Sequence, residues 1–142
     1  MNNVIFQKEI FIPSAIEGLN ICLDIIDEIK EQFHLDFDTS FSLHTVIVES
    51  VENAILHGNK GVKELEVRIL IEMTEEEIFL EVEDQGEGFD LNSMEFPLKK
   101  SNITSEGGRG IFFIKQLSSS CYTIGKGNII RIKLKKQCQY PI

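Results

Sequence analysis

The sequence has little of what stabilises a secreted or membrane-bound protein. Its three cysteines are an odd number, and their spacing fits neither a CxxC metal site nor a disulfide framework, so reduced thiols are expected. The longest apolar runs are about four residues, too short to cross a membrane. No basic segment followed by a long apolar one precedes residue 12. We therefore expect a cytoplasmic protein.

Basic charge is also scarce. Fourteen Lys and Arg stand against 23 Asp and Glu, a net charge of −9, which repels nucleic acids and anionic membrane surfaces. Near the C-terminus, Arg131, Lys133 and Lys135 alternate with apolar residues, as on the solvent face of a half-buried strand. No aromatic residues interleave these charges, as they would in a single-stranded nucleic-acid site. Neither nucleic acid nor membrane is an expected partner.

Low-complexity segments and short repeats are absent, which argues against disorder. With 142 residues, 42% of them apolar, the chain can bury one sizeable core. We expect a single domain, residues 1–142.

Hydrophobic periodicity predicts helices and strands in a mixed order. A strand over residues 3–12 precedes a helix, for which Ser14 and Glu17 have capping-box spacing. A second helix is predicted from Thr39 or Ser40 to His57. Further strands are predicted at residues 65–73, 78–82, 121–125 and 128–136, and a third helix from about Gly110. This order favours an α+β fold of two layers, with helices on one face of a mixed, mostly antiparallel sheet.

Residues 85–109 show no sustained periodicity and contain several glycines. A loop of this length in a compact domain is usually functional. We interpret residues 89–109 as a lid.

Glu49 and Asn53 are four residues apart in the second predicted helix and therefore share one face, which His57 extends. A carboxamide oxygen suits Mg²⁺ held jointly with substrate phosphates, and a carboxylate can orient and deprotonate a hydroxyl group. Pairs with this spacing also occur on many helices where they only face solvent.

Asp84, Gly86 and Gly88 form a D-x-G-x-G motif directly after an alternating strand. The glycines would let the backbone approach a flat ligand closely, and the carboxylate would accept a hydrogen bond from an exocyclic amine. An ordinary turn is the alternative. The spacing of an EF-hand calcium loop is absent.

Gly107, Gly108 and Gly110, with Arg109 among them, precede the third predicted helix. Free amide groups and the positive end of a helix favour an anion such as a triphosphate there. The glycines could instead only hinge a loop. No Walker A motif occurs, and the hint of GxGxxG at Gly86 lacks its third glycine, so P-loop and Rossmann nucleotide binding are excluded.

The order of these motifs resembles the ATP-binding domain shared by gyrase, heat-shock chaperones, histidine kinases and mismatch-repair ATPases, which has the Bergerat fold. Residues 49–59 (ESVENAILHGN) are similar to that family's N box, residues 82–90 (VEDQGEGFD) to its first glycine box, and residues 107–114 (GGRGIFFI) to its second. The resemblance covers nearly the whole chain. It is strongest to a single-domain branch, the anti-sigma-factor serine/threonine kinases of bacterial partner-switching systems.

This resemblance implies a role for each matching residue. Asn53 would ligate Mg²⁺, and Asp84 would bind the adenine amino group. The glycines would line the base pocket or cradle the phosphates, with Arg109 near the terminal phosphate or the partner surface. Gly86 and Gly88 would line the base pocket, and Gly108 and Gly110 would cradle the phosphates. Glu49 would be the catalytic base. Where relatives have a threonine on the last hairpin near the adenine site, this chain has residues 127–130 (GNII), so the resemblance does not imply that contact to adenine.

The resemblance implies a kinase that uses ATP and Mg²⁺ to phosphorylate a protein antagonist on serine, that sequesters a sigma factor in its other complex, and that forms a homodimer. One alternative is a non-catalytic binding module in which nucleotide only orders the lid. A histidine-kinase catalytic domain is a third possibility. It is disfavoured because no helical hairpin with an acceptor histidine is recognisable around His34 or His44.

Overall fold

The computed structural model describes residues 3–89 and 108–136, apart from the side chain of Arg109. Three α-helices, one π-helical turn and five strands follow each other in these residues. They are β1 (Phe6–Pro13), α1 (Ile16–Gln32), α2 (Phe37–Asn53), the π-helical turn (Ala54–Gly58), β2 (Glu66–Met73), β3 (Glu77–Glu83), α3 (Gly108–Leu117), β4 (Ser120–Ile124) and β5 (Ile129–Lys135). Within the described ranges, no helix is both long and apolar enough to traverse a bilayer.

The five strands form one sheet in the order β1-β2-β3-β5-β4, and all four neighbouring pairs are antiparallel. Alternate residues of β2, β3 and β5 are buried, as the period of two predicts. The helices pack on this face, with α2 between α1 and α3. The predicted α+β, two-layer architecture is confirmed.

The opposite face of the sheet is polar and rich in cross-strand ion pairs. Arg131 donates to Glu81 at 2.7 Å, and Lys133 lies 3.5 Å from Glu77. The basic stripe of the last strand therefore faces the acidic stripe of β3, which agrees with its interpretation as the solvent side of a strand.

The cysteine side chains described by the structure are buried free thiols. Burial raises the pKa of Cys22 to about 12 and that of Cys121 to about 11, so both remain protonated at neutral pH. Cys138 lies outside the described residues.

The capping box predicted at Ser14 is wrong. The N-cap of α1 is Ala15, which makes no side-chain capping hydrogen bond. The Ser14 hydroxyl, which is buried, points to the β2 side of the fold instead and donates to the carbonyl of Leu65 at 2.5 Å. A tertiary contact has thus replaced the local one that the spacing suggested.

Helix α2 begins earlier than predicted because Asp36 caps it, accepting a hydrogen bond from the amide of Thr39 at 3.2 Å. Its end also differs, since the α-helix stops at Asn53 and one π-helical turn follows. The amide of Asn59 donates to the carbonyl of Ala54, five residues back, at 2.8 Å. Single π-helical turns often mark functional sites.

Candidate functional site

Asp84 directly follows β3 and is held against the turn between β4 and β5. Its amide donates to the carbonyl of Asn128 at 3.0 Å, and the side-chain amide of Asn128 donates to the carbonyl of Asp84 at 2.8 Å. These two bonds extend the pairing of β3 with β5 by one residue. The position of the aspartate is therefore fixed by the sheet.

The Asp84 side chain is a buried carboxylate, with the residue only 8% exposed. Oδ1 accepts from the amide of Gly86 at 2.8 Å, and Oδ2 has no hydrogen-bond donor among the described residues. Burial raises the pKa of Asp84, an effect that the Gly86 amide and the charge of Lys126 partly oppose. A carboxylate that keeps one oxygen open to a further donor is suited to a ligand that brings its own donor.

Glycines allow the backbone to pack tightly around this carboxylate. A Cβ atom at Gly58 would overlap the Asp84 carboxylate, and one at Gly86 would overlap the carbonyl of Gly58. Gly88 has a φ of +88° and packs against the carbonyl of Lys126. The end of the π-helical turn, the segment after β3 and the last hairpin thus meet at one place.

A small cavity lies between these segments and α2. Its volume is about 10 Å³, on the scale of one water molecule. It is lined by Ser50, Asn53, Ala54, Val82, Asp84, Phe89, Gly127, Asn128 and Ile130. Asp84 and Asn53 therefore share a cavity, whereas Gly86 and Gly88 are not in its lining. A nucleobase could enter only if the cavity widened, and Phe89 borders it just before the undescribed residues.

Glu49 lies one turn before Asn53 and faces the start of α3. A Cβ atom at Gly110 would come within 2.6 Å of Glu49 Oε2, so a larger residue there would displace the end of the Glu49 side chain. Helix α3 begins at Gly108, two residues earlier than predicted. Its first amide groups have no partner within the helix and carry the positive end of its dipole. The carboxylate and the positive end of a helix are therefore neighbours.

Other predicted site residues are less well placed or not described. His57 lies in the π-helical turn, where the four-residue spacing no longer holds, and is exposed. The side chain of Arg109 and nearly all of the predicted lid, residues 90–107, lie outside the described residues.

Asn59 joins the segments next to the site through its side chain. The sequence predicts only a helix stop at this position and does not identify Asn59 as a functional residue. It is 1% exposed. Its side-chain nitrogen donates to the Ser14 hydroxyl at 2.9 Å and to the carbonyls of Leu65 and Glu66, and its oxygen accepts from the amide of Gln85 at 2.7 Å. The partners are far apart in sequence, so no local pattern reveals them.

Replacing Asn59 by alanine is expected to lower the free energy of unfolding by about 2–3 kcal/mol, because buried partners lose their hydrogen bonds. Urea unfolding followed by circular dichroism measures this. The exposed Asn20 of α1 provides the control, and Asn20→Ala should change stability by less than about 0.5 kcal/mol. Equal stabilities of the two variants would contradict the role given to Asn59.

The donor set fits a magnesium nucleotide. Asp84 offers the unpaired acceptor that an adenine amino group needs, and α3 offers amides for phosphates. Among the described residues, no group of three or more His, Cys, Asp or Glu side chains could hold a metal ion. A magnesium ion here would be held by Asn53 together with phosphate oxygens, since Mg²⁺ is commonly bound by one or two protein oxygens and substrate phosphates.

Comparison with known proteins identifies the family of the chain. A search of curated proteins found no match. The family model of the histidine kinase-like ATPase domain matches residues 12–134, from the end of β1 to nearly the end of β5, and this range includes every motif discussed above. Both the family match and the geometry of the site are consistent with nucleotide binding. The chain thus belongs to the family of histidine kinase-like ATPase domains.

Proposed function

We propose that the protein is a serine/threonine kinase that transfers the terminal phosphoryl group of ATP to a serine of a protein partner. The observation that carries the proposal is the position of Glu49, whose carboxylate lies beside the start of α3 and one helical turn from the cavity that contains Asp84. A domain that only bound ATP would need Asp84 and Asn53, but it would need no carboxylate at the phosphate end.

In the proposed reaction, Glu49 orients the acceptor serine and takes its hydroxyl proton. The serine oxygen forms a bond to the terminal phosphorus as the bond to the bridging oxygen breaks, and ADP leaves. The amides at the start of α3 would stabilise the negative charge of the transferred group. Mg²⁺, with Asn53 as its protein ligand, would neutralise phosphate charge.

The experiment that tests this function uses the purified protein, Mg²⁺, ATP labelled at the terminal phosphate and candidate acceptor domains encoded in the same genome. We expect one acceptor to become labelled, and acid hydrolysis should recover the label as phosphoserine. Label on histidine would favour the histidine-kinase alternative. No label on any acceptor, together with normal ATP binding, would favour the non-catalytic binding module.

We further propose that the kinase is a cytoplasmic anti-sigma factor in a partner-switching system and acts as a homodimer. The resemblance to that branch of the family supports this, as does the charge of the chain. Phosphorylation adds nearly two negative charges to the antagonist. A kinase with a net charge of −9 would then repel its product, which would release the kinase to sequester the sigma factor.

The raised pKa of Asp84 predicts a pH dependence of ATP binding. As the pH falls through this pKa, which burial places above that of an ordinary aspartate, the carboxylate gains a proton and becomes a weaker acceptor. On acidification, the affinity for Mg·ATP should therefore begin to fall at a higher pH than it would if Asp84 had the pKa of an exposed aspartate. Calorimetric titrations at several pH values measure this, with Asp84→Asn as the reference for titration of ATP itself. Parallel profiles for both proteins would contradict the assignment.

A further inference from the structure

An apolar groove of about 470 Å³ lies between α2 and α3, outside the nucleotide cavity. One wall is the line Phe41, Thr45 and Glu49 of α2, and the other includes Phe112 and Phe113 of α3. The two phenylalanines of α3 pack edge to face, with their ring centroids 5.8 Å apart. Three aromatic rings therefore line the groove, which has a carboxylate at one end.

These rings are unusually exposed for their size. Phe41 is 54% and Phe113 40% exposed, and Phe37, which is 80% exposed, stacks on Phe41 with a centroid distance of 6.3 Å. Contiguous exposed aromatic surface commonly marks a site where another protein binds, and aromatic pockets contribute most to such interfaces.

The groove is continuous with the proposed phosphoryl-transfer site. Phe41 and Glu49 are eight residues apart on α2, so the groove extends about 12 Å along this helix from the carboxylate. An extended peptide covers that distance in about three to four residues. A segment with its hydroxyl group at Glu49 would therefore place a nearby side chain between Phe41 and Phe113.

We propose that this groove docks the phosphoacceptor segment of the partner protein, with an aliphatic or aromatic side chain seated between Phe41 and Phe113, about three to four residues from the acceptor serine. The inference rests on the proposed kinase function, because that function places the acceptor serine at Glu49 and so determines the position of the segment in the groove. The apolar lining gives affinity for the segment, and the shared Glu49 determines which residue receives the phosphoryl group.

The test uses short fluorescent peptides of glycine and glutamine that carry a central serine and one leucine, moved one residue at a time along either side. Fluorescence anisotropy measures binding without any need for catalysis, and labelled ATP measures transfer. We expect the leucine to tighten binding about tenfold. Transfer should be fastest when the leucine is about three to four residues from the serine.

Phe41→Ser and Phe113→Ser should each remove the effect of the leucine while affinity for Mg·ATP stays unchanged. Because both side chains are exposed, the variants should fold, which circular dichroism checks. The matched control is Phe79→Ser, since Phe79 is 38% exposed on the opposite face of the sheet, and this variant should keep the full effect.

The outcomes separate the two proposals. Leucine-dependent binding without transfer would support the groove and contradict the kinase. Binding that ignores the leucine, or that survives Phe41→Ser, would overturn the groove, and the acceptor-labelling experiment would still decide on the kinase. Sedimentation equilibrium tests whether a second copy of the chain occupies the groove instead. If the wild-type protein is a dimer and Phe41→Ser dissociates it, the groove is an interface between two copies, which would also overturn the proposal.

Discussion

Glu49→Gln is expected to slow phosphoryl transfer about 10³-fold, which is the usual contribution of a general base. Affinity for Mg·ATP should change less than twofold, roughly the limit of a calorimetric comparison. Glutamine keeps the size of the side chain beside Gly110, so the packing of α2 on α3 is preserved, but the carboxamide cannot take the proton of a serine hydroxyl. Transfer rates at saturating ATP and acceptor, together with calorimetric titration of ATP, measure both quantities.

The control for this variant is Glu52→Gln. Glu52 is an exposed residue three positions further along α2, and its replacement removes the same charge from the same helix. It should leave the transfer rate unchanged. If Glu49→Gln labels the acceptor as fast as the wild-type protein does, Glu49 is not the base, and the binding-module alternative gains its strongest support.

Asp84→Asn is expected to weaken ATP binding by about 10- to 100-fold, the effect of losing a hydrogen bond to a charged group. The new side-chain nitrogen is a donor and would face the donor amino group of adenine. The nucleotide-free variant should nevertheless be more stable than the wild-type protein at neutral pH. Burial raises the pKa of Asp84, so the stability contributed by its protonated form is lost as the pH rises through this pKa, and asparagine avoids that loss.

Urea unfolding without nucleotide, combined with calorimetric titration, tests both parts of this prediction. Asp24→Asn is the matched control because Asp24 is exposed on α1, and both quantities should stay unchanged in that variant. A decrease in stability for Asp84→Asn would show that the ionised carboxylate holds the fold together. Unchanged affinity for ATP would remove Asp84 from the binding site.

The sheet and its contribution to the site could be predicted because their signals are local. Alternation from Val67 to Met73 and from Ile78 to Val82 indicates two strands, and both are confirmed with their apolar residues on the helix side. The end of the second strand then places Asp84 at the edge of the core. In the same way, four-residue spacing correctly predicts that Glu49 and Asn53 share a helix face.

What the sequence could not predict are contacts between distant segments. Asn59 follows a glycine and suggested a turn, yet its side chain joins residues 45 positions before it and 26 after it. The sequence draws attention to Asn128 only because relatives have threonine nearby, but its side chain donates a hydrogen bond to the carbonyl of Asp84. Ser14 has the spacing of a helix cap, and competition from the Leu65 carbonyl removes it from that role.

The most direct test of the central claim is calorimetric titration of the purified protein with Mg·ATP and, separately, with Mg·GTP. Guanine carries an acceptor oxygen where adenine carries its amino group, and it would face the unpaired oxygen of Asp84. We predict saturable binding of ATP and at least about tenfold weaker binding of GTP. Equal affinities for the two nucleotides, or no uptake of ATP at millimolar concentration, would contradict the account.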